Sequence, residues 1–145
     1  MKKAENYRMV PLINMDVVGG IHSSNEVAIY DPQYVVRNIP FVDAKEGDIC
    51  TSVTGTSMVP TCPPGSVVLL REVHNWQEYF GYGEIYCILL TDGRRILKEV
   101  QKFDENPKDF VLCISHNKDI TPEELPRKMI AGVWKVIATL TEAGF

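Results

Sequence analysis

The segment Gly55-Thr56-Ser57-Met58-Val59-Pro60-Thr61 carries the most chemistry in the chain. A strand pattern precedes it, and the proline-rich turn Cys62-Pro63-Pro64-Gly65 follows. Ser57 is therefore expected at a strand end, with its hydroxyl projecting from a turn. The N–H groups of Ser57 and Met58 have no strand ladder to join there and could face a developing oxyanion. Read alone, a serine at this position is also an ordinary turn residue. A serine nucleophile needs a base. His22, His74 and His116 show no triad setting, although a triad needs no fixed sequence order. The other base open to serine is a neutral lysine, and Lys98 is the candidate. In Arg95-Ile96-Leu97-Lys98-Glu99-Val100, strand alternation puts Ile96, Lys98 and Val100 on one face. Two β-branched neighbours make an apolar setting for an amine. A lysine snorkelling from an edge strand fits the same pattern. A lysine ordinarily titrates near about 10.4, so neutrality at pH 7 means giving up roughly 4 kcal/mol of preference for the charged form. Burial among apolar groups can supply that much.

The elements that must position these residues read as short strands separated by turns. Strands are expected over residues 10–13, 49–54, 66–73, 84–90, 95–101, 110–115 and 130–140, with a further short one over 27–30. Asp92-Gly93 supplies a hairpin turn between the strands that end at Leu90 and begin at Arg95. Helical turns are expected only over 76–80 and 122–125. Strands at this spacing argue for a mostly β fold. Residues 1–9 read as a flexible lead-in. Residues 10–40 read as a loop region with connecting strands, irregular around Pro32 and Pro40. Residues 41–145 read as the main β domain, forming one structural domain with 10–40. Gly19-Gly20 and Ser23-Ser24-Asn25 mark an extended loop over 14–25. No pair of amphipathic helices around a tight turn is present, so no helix-turn-helix is expected in this chain.

Composition narrows the function. The chain has 145 residues, 45% hydrophobic and 23% charged, which suits one globular domain and excludes wholesale disorder. The formal charge of −4 gives no broad attraction to nucleic acid. No apolar run approaches the roughly 18 residues of a membrane span. Met1-Lys2-Lys3 is followed by no apolar stretch, which argues against a secretory signal and for a cytoplasmic protein. Cys50, Cys62, Cys87 and Cys113 form no CxxC pair. Buried, reduced thiols are expected for Cys50, Cys87 and Cys113, and Cys62 is expected to be the most exposed. No metal and no cofactor are expected.

The chain resembles the S24 peptidase domain, the C-terminal self-cleavage and dimerisation domain of LexA-like and phage-type repressors. The resemblance runs through Thr54-Gly55-Thr56-Ser57-Met58-Val59-Pro60, Pro64-Gly65-Ser66-Val67-Val68-Leu69-Leu70 and the lysine strand quoted above. It continues through Leu112-Cys113-Ile114-Ser115-His116-Asn117 and Ile130-Ala131-Gly132-Val133-Trp134-Lys135-Val136, covering most of residues 10–140. It implies a fold of short, strongly bent antiparallel strands. It also implies a serine–lysine dyad, with Ser57 as nucleophile, Lys98 as general base and the Ser57 and Met58 N–H groups at the oxyanion. The family cuts one of its own bonds in a loop N-terminal to the dyad. The scissile bond implied here is Val18–Gly19, with Gly19–Gly20 as the alternative. Val18 stands where the family commonly has a small residue, and Ser66 stands where many members carry Asp. The resemblance further implies a homodimer and a RecA-type recombinase filament on single-stranded DNA as activator. DNA would be contacted only through an N-terminal domain that this chain lacks, with no membrane partner. The chain then reads as a piece of a phage-type repressor. The alternatives are a stand-alone accessory protein of a translesion polymerase, a signal-peptidase relative, and a non-catalytic dimerisation module.

Overall fold

The computed structural model describes residues 7–15 and 29–141. The loop expected over 14–25, with Val18, Gly19 and Gly20, lies largely outside the described residues, as does the first half of the strand expected over 27–30. Nine strands form one mixed sheet: β1 (Tyr7–Ile13), β2 (Val35–Val42), β3 (Ile49–Ser52), β4 (Val67–Glu72), β5 (Glu84–Leu90), β6 (Arg95–Lys102), β7 (Phe110–Ile114), β8 (Glu123–Pro126) and β9 (Ile130–Leu140). Their order across the sheet is β2-β1-β3-β4-β9-β5-β6-β7-β8. All neighbours pair antiparallel except β1 and β3, which meet in parallel at Leu12 and Cys50.

Strand β9 occupies the middle, pairing with β4 on one side and β5 on the other. It thereby joins a half built from β1–β4 to a half built from β5–β8. Both central partners are buried on both faces, which explains their continuous apolar runs. In β4, Val68 and Leu70 enter one cluster while Val67 and Leu69 enter another. In β5, Cys87 and Leu89 enter the first cluster, and Tyr86, Ile88 and Leu90 enter a third. Trp134 of β9 is fully buried in the first cluster, which draws residues from both halves. Register shifts at Leu12/Ile13, Leu69/Leu70 and Leu89/Leu90 interrupt the ladders of β1, β4 and β5. An extra residue in a ladder bends a strand and increases its twist.

Several expectations change on contact with the structure. Residues 7–9, read as lead-in, belong to β1 and pair with residues 40–42 of β2. Residues 35–40, within the stretch read as irregular, form most of β2 despite Pro40. At this sheet edge a missing N–H leaves no inner ladder unsatisfied. The helical turn expected over 122–125 is replaced by the opposite edge strand β8 over 123–126. Cys62 is fully buried in the first cluster, like the other three thiols in the interior. Burial pushes the Cys50 and Cys113 thiols up to about 12, so both resist ionisation and reaction.

A salt bridge fixes the entry to β3. Asp48 takes Arg71 Nε and Nη2 at 2.9 and 2.8 Å, and the Lys45 N–H at 2.9 Å. Burial raises the Asp48 carboxyl, but the Arg71 and Lys45 bonds outweigh it and hold the group below its ordinary value. A depressed folded value stabilises the protein above the ordinary carboxylate range, and that stability is lost as pH falls through the folded value. Asp48→Asn is therefore expected to cost about 2 kcal/mol at neutral pH. In paired thermal melts, the advantage of the wild type should shrink steadily as pH falls below about 4.

Candidate functional site

The nucleophile candidate lies on the connection between β3 and β4. The base of that connection is closed by Val53 N–H to Ser66 O at 2.8 Å and Gly65 N–H to Val53 O at 3.0 Å. Gly55 has φ 75°, a left-handed conformation that a side chain would strain, and it turns the chain out of the strand direction. Met58 then plunges into the first cluster and is fully buried, while Cys62 N–H closes on Met58 O at 2.8 Å. Ser57, one residue before this anchor, is left half-buried at the rim. Among the described residues, its N–H and that of Met58 donate to no carbonyl. The Val59–Pro60 bond is cis.

The base candidate comes from β6, and alternation along that strand is as the sequence requires. Ile96 and Val100 pack in the third cluster, and Leu97 points to the first. Strand β7 pairs with β6 only over residues 99–102, so the 95–98 end has β5 on one side and space on the other. That space is a cavity of about 130 Å³ lined by Val53, Thr54, Ser57, Ile96, Leu97 and Lys98, with Arg95 at its end. Ser57 and Lys98 thus border the same cavity, although they lie on connections and strands far apart in sequence. A second cavity of about 220 Å³ shares Thr54 and Arg95 with the first and reaches Ile13 and Asn14 at the end of β1. Arg95 Nη2 donates to Ser52 O at 2.9 Å and to Thr54 Oγ1 at 3.2 Å, bracing the wall between the two spaces.

Three residues that sequence reasoning gave no role hold this geometry: Ser115, His116 and Asn117, directly after β7. The β6–β7 register pairs Glu99 with Ile114. Continued by one residue, it sets Ser115 opposite Lys98. Lys98 Nζ donates to Ser115 Oγ at 2.5 Å. Asn117 ties down the loop that carries Ser57, its N–H donating to Ser57 O and its Nδ2 to Thr56 O, each at 3.0 Å. His116 lies between them. Its Nε2 is 2.8 Å from Glu99 Oε1, and its Nδ1 is 2.6 Å from Thr61 Oγ1. The carboxylate can only accept, so Nε2 carries the proton, and in the neutral ring Nδ1 accepts from the Thr61 hydroxyl. Gln101 Nε2 donates to the other Glu99 oxygen at 2.7 Å. Gln101 first, then His116, hold the Glu99 carboxyl below its ordinary value. Thr61–His116–Glu99 has the order of a catalytic triad. Neither Thr61 nor His116 lines the cavity beside Ser57, however, and the chain of bonds acts as a strut between loop and sheet.

The described residues contain no group of three His, Cys, Asp or Glu side chains that could hold a metal ion. No helix among them is long and apolar enough to cross a membrane. A family model described as Peptidase S24-like matches residues 11–139. No curated protein matches the chain. Replacing Asn117 by Ala removes the side-chain bond to Thr56 and should cost about 1 kcal/mol. Hydrogen exchange should then quicken across residues 55–62 while that of β4 and β5 is unchanged.

Proposed function

The chain belongs to the S24-like peptidase family, and on that premise we propose that it is the self-cleaving, dimerising C-terminal domain of a phage-type, LexA-like repressor. The observation that carries this reading is the shared cavity bordered by Ser57 and Lys98. In the proposed reaction, Ser57 Oγ attacks the carbonyl carbon of Val18 and Lys98 Nζ takes the hydroxyl proton. The Ser57 and Met58 N–H groups receive the oxyanion. As the bond to Gly19 breaks, Lys98 returns the proton to the leaving amine. Water, deprotonated by the same amine, then opens the ester on Ser57 and restores both groups. Gly19–Gly20 is the alternative bond.

The placement of the second cavity supports cutting within the same chain. It begins at Asn14 and shares a wall with the first. Val18 lies four residues beyond Asn14, a reach of roughly 13 Å in extended chain. In this reading the protein is a cytoplasmic homodimer, and DNA is contacted by a helix-turn-helix portion outside this chain. Cleavage separates the two portions, so two half-sites are no longer held by one dimer and affinity falls. A RecA-type filament on single-stranded DNA would act by favouring the cleavable arrangement. A second reading, a dimerisation module with an idle dyad, draws on Val18, which stands where the family commonly has a small residue. A stand-alone polymerase accessory would use the same chemistry with another partner.

Intact-mass measurements on the purified chain, from neutral to strongly alkaline pH, test the reading directly. A break after Val18 or Gly19 is expected, with a rate that rises with pH because the base must be neutral to accept a proton. Ser57→Ala should abolish it, and Lys98→Ala should slow it by about 100-fold or more. A Ser57→Ala chain that still breaks at the same bond would overturn the assignment. A wild type uncut at every pH would favour the idle-dyad module.

A further inference from the structure

We propose that Ser115 is the positioning residue for Lys98, holding its amine in the cavity beside Ser57 so that the base is aimed before the reaction begins. The proposal rests on the serine–lysine reading above and adds a third side chain to it. Three observations carry it. Ser115 is a buried polar residue, 8% exposed. The register of β6 and β7 sets it across from Lys98, and the resulting hydrogen bond is short at 2.5 Å. The residues that follow it, His116 and Asn117, are pinned to the turn that carries Ser57, at Thr61, Thr56 and Ser57 itself. The segment that holds the base is therefore the segment that holds the nucleophile.

The chemistry needs such a group. A lysine side chain has four rotatable bonds, and fixing it in one arrangement gives up much of its rotamer freedom. The bond to Ser115 Oγ holds the amine in place already in the resting protein. The direction of the bond matters as well. An amine that donates one N–H to Ser115 Oγ keeps its lone pair for the proton of Ser57. A carboxylate in the same place would also hold the lysine, but it would favour the charged form and weaken the base. A neutral hydroxyl orients the amine with far less of that penalty. If Ser115 merely satisfied a buried lysine, its loss would lower stability, and cleavage would fall only in proportion to the folded population.

The test compares Ser115→Ala and Ser115→Thr with the wild-type full chain, reading self-cleavage, melting temperature and the Lys98 ammonium resonance. Cleavage is followed by intact mass at one alkaline pH, at a temperature where melts show every variant folded. The resonance is recorded with 15N-lysine labelling in a Ser57→Ala background, which keeps the chain whole, and is assigned by its loss in Lys98→Ala. Ser115→Ala should cut about 100-fold more slowly, the loss expected when a reacting group is misplaced by about 1 Å. It should also lose the slowly exchanging Lys98 ammonium signal. Ser115→Thr, which restores the hydroxyl, should recover both. Ser115→Ala cutting at the wild-type rate, or keeping the ammonium signal, would overturn the proposal while leaving the dyad standing. A wild type that never cuts would overturn the dyad reading and, with it, any positioning role.

Discussion

Ser57 on one connection and Lys98 on a distant strand border one cavity only if some part of the chain grips both. In this protein that grip is Ser115-His116-Asn117. Ser115 takes the Lys98 amine, Asn117 takes the carbonyls of Thr56 and Ser57, and His116 braces Thr61 against Glu99. The three residues are consecutive, so a displacement at one end is felt at the other within two peptide units. The rest of the sheet serves to hold β7, and so these residues, in register with β6.

That register depends in turn on burial. Strands β4 and β5 bury both faces, which leaves little freedom to slide, because a shift by one residue would exchange the side chains of one cluster for those of another. Met58 and Leu97 lie in the same cluster as Trp134, so the turn that carries Ser57 and the strand that carries Lys98 share one core. Polar groups at the site are placed by an apolar scaffold that reaches to within one residue of each: Met58 follows Ser57, and Leu97 precedes Lys98.

The parts of this arrangement that were legible in the sequence are those governed by local pattern. The strands beginning at Ile49, Val67, Glu84, Arg95, Phe110 and Ile130 announce themselves by apolar, β-branched runs between turn residues, and the structure places each within a residue or two of expectation at its start. The edge strands were not legible. Strand β2 mixes Arg37, Asn38 and Pro40 into its run, and β8 opens with Glu123 and Glu124. An edge needs only one sheltered face, so its sequence looks like a loop. Cys62 was misplaced for a related reason. Its turn composition says nothing of the cluster onto which Met58 folds it. Ser57 and Lys98 could be singled out by residue type and strand face. Their third neighbour could not, because the meeting of Lys98 with Ser115 is a property of the β6–β7 register. The only trace was that Ser115-His116-Asn117 stood within the stretch resembling the family.

The position of β9 has a consequence for timing. The strand made last among those described lies at the centre of the sheet, between a half that carries Ser57 and a half that carries Lys98. Each half can form its own hairpins as the chain emerges, but the shared core that contains Trp134 cannot close until residues 130–140 are available. Assembly of the site is therefore gated by translation itself. A ribosome-bound chain lacking β9 holds Ser57 and Lys98 on separate pieces, so the cavity they share cannot close until residues 130–140 have emerged.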